Sequence, residues 1–112
     1  MVAIDEFLLP RLSRLSFVKI DIEGAEYFAL QGMRRTLETF KPVILVEIQR
    51  FFLQGFGLTE EQVLALVDEL GYDMFVYDEP AHALTPYAAP RPDFNYVLIH
   101  RSARDRYASL IR

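Results

Sequence analysis

The stretch that decides the fold is FVKIDIEG, from Phe17 to Gly24. Its first part is rich in β-branched and aromatic residues, which predicts a strand of a sheet that helices cover on both faces. The apolar run stops at two carboxylates, Asp21 and Glu23, and at Gly24, whose missing Cβ lets the backbone turn sharply or approach a ligand. Because ligands of open α/β sheets bind outside the carboxyl ends of the strands, we expect the functional groups at this strand end.

A helix is predicted directly after Gly24, because the apolar period changes from two residues to about 3.6. Its apolar stripe comprises Ala25, Phe28, Ala29, Met33, Leu37 and Phe40. Lys41 and Pro42 end this helix, since the residue before a proline is pushed out of the helical region. The apolar run from Val43 to Ile48 predicts a second buried strand. Strand, helix and strand within about thirty residues form a βαβ unit, so the two strands are expected to be parallel.

The βαβ unit brings polar side chains of both strands to one edge of the sheet. The side chains that we expect there are those of Asp21, Glu23, Glu47, Gln49 and Arg50. The stretch from Gln49 to Gly57 begins at this edge and carries three phenylalanines and two glycines, which predicts an aromatic loop. Its phenylalanines either form a wall of a substrate site or pack under the following helix.

Lys19 and Glu47 each interrupt an apolar strand, and a buried lysine is rare unless it is paired. A period of two residues places Lys19 on the same face of its strand as Asp21, and Glu47 lies on the neighbouring strand. One interpretation is a buried ion pair that fixes the strand register. The other is a polar network that orients the site. We favour a combination, in which Lys19 and Glu47 support Asp21 without touching the reacting group.

Thr59 to Leu70 is the best-marked helix of the sequence. Thr59 and Gln62 have the spacing of a capping box, and Gly71 stands at the carboxyl end, where helices commonly stop. The residues of the apolar stripe are Val63, Leu66, Val67 and Leu70. These signals predict both ends of the helix and its buried face.

The rest of the chain predicts two more strands. Met74–Tyr77 and Phe94–His100 have strand composition. The segment 78–93 contains four prolines, which predicts an extended loop without regular structure. The last segment, 102–112, predicts a short helix or a basic tail.

Composition limits the function classes. The length of 112 residues predicts one α/β domain over residues 1–112. The net charge of −4 argues against a nucleic-acid-binding protein.

Neither a signal peptide nor an apolar run long enough to span a bilayer is evident, so no membrane association is expected. The absence of cysteine fits a reducing compartment, and a cytoplasmic location is expected. His82 and His100 lack metal-ligand spacing, so no metal site is predicted.

The motif FVKIDIEGAE and the later VILVEI together resemble the core of the FkbM-type methyltransferases. The residues that match the strand-end pattern of that family are Lys19, Asp21, Glu23, Gly24 and Glu26. The following helix and strand add Gly32, Leu37, Lys41 and Pro42. The similarity runs from Ile4 to Asp78 and corresponds to the carboxy-terminal half of the family's catalytic domain.

The resemblance implies the Rossmann-like class I methyltransferase fold, an α/β fold with flanking helices. Its mixed sheet is mostly parallel with an antiparallel last strand. In this chain, Phe94–His100 is expected to be that strand and to lie beside the strand of Glu47. Met74–Tyr77 is then expected at the outer edge of the sheet.

The resemblance also implies a transferase that uses S-adenosylmethionine, commonly to methylate a hydroxyl of a sugar or another small molecule. Asp21 is the first candidate for acceptor contact or general base and Glu23 the second. The alternative for both is a structural interaction at the helix start, where negative charge is favoured. The residues of substrate contact are expected to be Glu47, Arg50 and Phe51, with Lys19 and Gly24 as structural support.

No GxGxxG turn occurs in the sequence, so no cofactor-binding residue is assigned. The alternative function is therefore a truncated, non-catalytic remnant of the fold that oligomerises or binds a partner. In the family, another strand flanks FVKIDI on its second side. An uncovered edge at residues 17–22 is a template for adding a strand, so a homodimer through this edge is expected.

Overall fold

The described part of the chain is built on one mixed five-stranded sheet. The computed structural model describes residue 4 and the ranges 14–20, 25–48, 50–78, 80–87 and 95–111, with the backbone alone at 50–52. The strands are β1 (Phe17–Ile20), β2 (Val43–Glu47), β3 (Tyr72–Asp78), β4 (Ala83–Pro86) and β5 (Asn95–His100). The helices are α1 (Glu26–Gly32), α2 (Arg34–Phe40), α3 (Arg50–Gly55) and α4 (Glu60–Glu69), and a 3₁₀ helix spans Arg101–Leu110.

The strand order is β1-β2-β5-β3-β4. β1 and β2 are parallel, with Ile20 opposite Val46, as the βαβ pattern predicted. β5 lies antiparallel between β2 and β3, which confirms its expected place beside the strand of Glu47. β2 and β3 run in the same direction, but β5 separates them, so β1 and β2 are the one adjacent parallel pair of this sheet. The predicted fold class, a mixed sheet with flanking helices, is confirmed. The expectation that the sheet is mostly parallel is not met among the described strands, because β5 pairs antiparallel on both sides and β4 pairs antiparallel with β3.

β4 corrects the prediction that segment 78–93 is a loop without regular structure. Residues 83–86 pair antiparallel with β3, and Thr85 Oγ1 donates a 3.4 Å hydrogen bond to the carbonyl of Val76. Pro86 fits this strand because an edge strand can do without one backbone donor. The outer edge of the sheet is consequently β4. The prediction that Met74–Tyr77 forms the outer edge is wrong.

The predicted helix after Gly24 is divided into α1 and α2 by a turn at Met33. Its buried face agrees with the predicted stripe only in part. Met33 and Leu37 of the stripe are buried, but Glu26 and Leu30 are buried as well, and Phe28 is 42% exposed. The stripe was assigned from apolar residues alone, and that rule excludes a buried carboxylate such as Glu26.

The predicted aromatic loop after β2 contains a helix, α3, over residues 50–55. Phe56 follows α3 and is 51% exposed. Its ring contacts that of Phe28 edge to face, with the ring centroids 5.7 Å apart. The two exposed rings therefore shield part of each other from water, and Phe56 is not packed under α4.

The signals of α4 are confirmed. Gln62 N–H donates to Thr59 Oγ1, and Thr59 N–H donates to Gln62 Oε1 at 2.8 Å, which completes the capping box. Gly71 follows the helix with a φ of +85°, a conformation that glycine adopts without strain. The four residues of the predicted stripe are buried.

The two faces of the sheet are covered differently. One face packs on the helices and forms the main core, which includes Ile20, Leu37 and Ile44. The other face holds a smaller cluster of Phe75, Leu84 and Ile99, against which Tyr107 of the 3₁₀ helix packs. Within the described ranges this covering stops short of β1, where Phe17 is 54% exposed. The expectation that helices cover both faces of β1 is not met there.

Of the helices described, none has the length and apolar character needed to cross a bilayer.

Candidate functional site

A cleft of about 340 Å³ lies at the carboxyl ends of β1 and β2, where the sequence predicted the site. Its lining consists of Lys19, Ile20, Leu45, Glu47 and Asn95. Lys19 lies opposite Leu45 across the parallel pair, and Glu47 lies opposite Asn95 across the antiparallel pair. Since alternate residues of a strand share a face, Lys19, Leu45 and Glu47 lie on one face of the sheet. The cleft thus combines an ammonium, a carboxylate and an amide.

Lys19 and Glu47 are brought to one cleft, but the buried ion pair between them is not observed. Lys19 is exposed. Ion pairs between described residues include those of Arg34, Arg101 and Arg104, and none joins Lys19 to Glu47. The physical reason is that Lys19 lies on the less covered face of the sheet, where its ammonium keeps its hydration. The ammonium group of Lys19 is therefore accessible to a ligand, and it does not form a buried ion pair that fixes the strand register.

The strongest candidates from the sequence, Asp21, Glu23 and Gly24, lie outside the described residues. The side chains of Arg50 and Phe51 lie outside them as well, so all five roles stay predictions. Both strands can be followed to the edge of the cleft. Ile20, which directly precedes Asp21, is buried and pairs with Val46, which directly precedes Glu47.

Asn95 is a residue of the cleft that the sequence reasoning did not single out. It is exposed at the first position of β5, opposite Glu47. The antiparallel insertion of β5 brings the amino end of this strand to the carboxyl end of β2. The signal was present in the sequence, because a strand that runs antiparallel beside Glu47 must begin near that residue.

Glu26, the last acidic residue of the FVKIDIEGAE motif, is only 1% exposed in the first turn of α1. Negative charge is favoured at this end of a helix. Buried carboxylates are retained only with polar partners, and no buried side-chain polar atom of the described residues lacks one. This position supports a structural role for Glu26.

A second polar cluster surrounds His100, at the opposite end of β5 from Asn95. The hydroxyl of buried Tyr72 donates to the carbonyl of Pro42 at 2.7 Å, and burial raises the pKa of this phenol. The His100 ring meets the Tyr72 ring edge to face at 5.1 Å, and His100 Nδ1 accepts a hydrogen bond from Ser102 N–H at 3.1 Å. Desolvation, followed by the charges of Lys41 and Arg101, lowers the pKa of His100 below its ordinary 6.5.

His100 is expected to make the stability of the fold depend on pH. Because its pKa is lower in the folded state, the unfolded chain binds more protons between that lowered pKa and 6.5, so the free energy of unfolding falls as the pH drops through this window. In His100→Asn, an amide oxygen replaces the Nδ1 acceptor and does not titrate. Urea unfolding at pH 8 and at pH 5.5 should show a smaller loss of unfolding free energy for the variant than for the parent chain. Equal losses in the two proteins would contradict the assignment of this pH dependence to His100.

The described residues do not form a cradle for S-adenosylmethionine. Such a cradle needs glycines at which the backbone approaches the ligand, and none of the described residues that line the cleft is glycine. At Gly71 the space of a Cβ is filled by His100 Nε2, 2.9 Å away. Across the described ranges, no three His, Cys, Asp or Glu side chains converge as metal ligands.

The family model described as "Methyltransferase FkbM domain" matches residues 1–74 of the 112. The matched part contains β1, β2 and the helices between β1 and β3, and therefore Lys19 and Glu47 of the cleft. No curated protein and no solved structure matches the chain.

Proposed function

Since the chain belongs to the FkbM methyltransferase family, we propose that it takes part in methylation of a hydroxyl group of a sugar or another small molecule by S-adenosylmethionine. The observation that carries the proposal is the cleft at the carboxyl ends of β1 and β2, with Lys19, Glu47 and Asn95 in its lining. An ammonium donates, a carboxylate accepts and an amide does both, so these side chains suit a molecule with several hydroxyls. We also propose a cytoplasmic location, which rests on composition.

The proposed role of the cleft residues is to bind and orient the methyl acceptor. Methyl transfer requires alignment of the acceptor oxygen and removal of its proton. Lys19, Glu47 and Asn95 are proposed to orient the acceptor, with Asp21 as general base or acceptor contact and Glu23 as the second candidate. Arg50 and Phe51 are proposed as further contacts to the acceptor. S-adenosylmethionine supplies the methyl group, and its binding residues are not assigned.

The experiment is calorimetric titration of the 112-residue chain with S-adenosylmethionine, followed by an assay of S-adenosylhomocysteine with a panel of sugars. Saturable cofactor binding and an acceptor-dependent product are the expected results. Glu47→Gln should then raise the KM for the acceptor. Glu61→Gln, which removes the same charge at an exposed position of α4, should leave that KM unchanged. If the chain does not bind S-adenosylmethionine at high micromolar concentration, the proposal that this chain is active by itself is contradicted.

The second candidate function is a module that oligomerises through the outer edge of β1, with no catalysis. Within the described residues β1 is the end of the sheet, and it pairs on one side with β2. Edge strands present unpaired N–H and C=O groups that accept a further strand. The exposed Phe17 supplies apolar surface beside this edge. A two-fold homodimer is the simplest assembly that such an edge supports.

The side chains of β1 favour one register for this dimer. When two copies pair antiparallel about an axis normal to the sheet, opposing residues must share a face. Val18 opposite Val18 places Phe17 against Lys19 of the second copy. Lys19 opposite Lys19 places like charges together, which is destabilising. The register centred on Val18 is therefore the proposed one.

Phe17→Lys is expected to weaken this dimer, because it places two ammonium groups opposite each other in the proposed register. Phe56→Lys is the matched control, since Phe56 has a similar exposure of 51% and lies away from β1. Analytical ultracentrifugation at high micromolar concentration should show a dimer for the parent chain and the control, and a monomer for Phe17→Lys. A strictly monomeric parent chain would exclude the dimer.

A further inference from the structure

We propose that the chain has a second binding site, for an organic phosphate, at the amino ends of β1 and β2. A cleft of about 450 Å³, here called the basic cleft, lies at this end of the sheet. The residues on which the argument rests are Arg14, Ser16, Phe40, Lys41, Arg106 and Tyr107. The basic cleft is separate from the cleft of Lys19 and Glu47, and the proposal does not depend on the methyltransferase function.

The charge of the basic cleft is opposite to that of the chain. The chain has a net charge of −4, yet the described residues that line this cleft include three cations, Arg14, Lys41 and Arg106, and no carboxylate. Arg14 and Arg106 are exposed. The ion pairs between described residues engage other arginines, and none involves these two. Guanidinium groups without a carboxylate partner are suited to bind the oxygens of a phosphate bidentately.

Three segments of the chain carry the cations, and each is anchored to the fold. Val43 N–H donates to the carbonyl of Ser16 at 3.0 Å, which ties the segment of Arg14 to the start of β2. Lys41 N–H donates to the carbonyl of Leu37 at 2.9 Å, at the end of α2. Arg106 belongs to the 3₁₀ helix, which packs on the sheet through Tyr107. The backbone segments that carry the positive groups are thus held in place before a ligand arrives, which lowers part of the entropic cost of binding.

Lys41 retains donors for a ligand. Its Nζ donates one hydrogen bond, to the carbonyl of Glu38 at 2.8 Å. An ammonium group has three donors, so two can point elsewhere. The charge of Lys41 also reaches beyond the cleft, because it contributes to the lowered pKa of His100.

The other lining residues indicate what the phosphate is attached to. Phe40 and Tyr107 are half-buried and add a small apolar surface to a lining that is mostly polar. The volume of about 450 Å³ lies within the range of small-molecule sites, about 300–1,000 Å³. An inorganic anion contacts the cations alone, whereas a phosphate ester with a ring also contacts this small aromatic surface. The proposed ligand class is a phosphorylated small molecule with an aromatic or apolar portion.

Calorimetry on the 112-residue chain tests the ligand class with three probes: ADP, inorganic pyrophosphate and adenosine. ADP is expected to bind saturably with a submillimolar Kd, pyrophosphate to displace it, and adenosine not to bind. Screening should weaken ADP binding as the salt concentration rises. Absence of ADP binding, or adenosine binding as tight as that of ADP, would overturn the proposal.

Substitutions locate the site. The double variant Arg14→Gln and Arg106→Gln should weaken ADP binding about tenfold or more, which corresponds to about 1.4 kcal/mol. Lys41→Gly is a second test, because Lys41 has a φ of 48°, which glycine adopts freely, so the loss of charge is not accompanied by backbone strain. Arg35→Gln, at an exposed position of α2 outside the basic cleft, is the control and should bind as the parent does. Parent-like affinity of the double variant would refute the assignment.

Discussion

Asp21→Asn is expected to lower the rate of methyl transfer by about 10²–10⁴-fold, the range that general acid–base catalysis contributes. Asp21 directly follows Ile20, the buried last residue of β1 at the cleft. Asparagine has nearly the same size and keeps an acceptor oxygen, but it cannot take up the proton of the acceptor hydroxyl. The rate of S-adenosylhomocysteine formation at saturating acceptor measures this step.

The other two acidic residues of the motif are the controls. Glu23→Gln is expected to cost less than about tenfold, because a carboxylate that interacts with the helix start contributes only about 0.3–1 kcal/mol there. Glu26→Gln alters a buried carboxylate and is expected to lower the thermal midpoint while the folded protein keeps its rate. An equal loss of rate in Asp21→Asn and Glu23→Gln would contradict Asp21 as the base.

The parts of the fold that could be predicted from the sequence are those with short-range signals. The capping box of Thr59 and Gln62 and the following Gly71 are local, so they fixed α4 nearly to the residue. The parallel pairing of β1 and β2 followed from one βαβ unit. The same unit placed Lys19 and Glu47 on neighbouring strands, and the cleft contains both, although the buried ion pair between them is not observed.

What could not be predicted depends on which surfaces cover one another. Whether Lys19 is buried depends on the layer over its face of the sheet, which the composition of β1 does not reveal. Four prolines argued for a loop between β3 and β5, but an edge strand tolerates Pro86, and edge position is a property of the whole sheet. Phe28 and Phe56 are large apolar residues and are nevertheless exposed, with each ring covering part of the other.

The unfolding free energy is expected to fall by about 2–5 kcal/mol in Ile44→Ala, through lost burial and the cavity that remains. Ile44 is fully buried in β2, opposite Val18 of β1 and Leu98 of β5. Ile44→Val, which removes one methyl group, should cost only about 0.5–1.5 kcal/mol. The midpoints and slopes of urea unfolding give these differences.

Leu110→Ala is the control, because Leu110 is 49% exposed and its truncation should change the stability by no more than about 0.5 kcal/mol. A domain of this kind has about 5–15 kcal/mol of total stability, so the loss of Ile44 can remove a large part of it. β2 also carries Glu47 to the cleft, only three residues after Ile44. Poorer packing at Ile44 should therefore weaken acceptor binding even in the molecules that stay folded, whereas Leu110→Ala should not. Equal losses of unfolding free energy and of acceptor affinity in Ile44→Ala and Leu110→Ala would contradict the view that the packing of Ile44 supports both the core and the cleft.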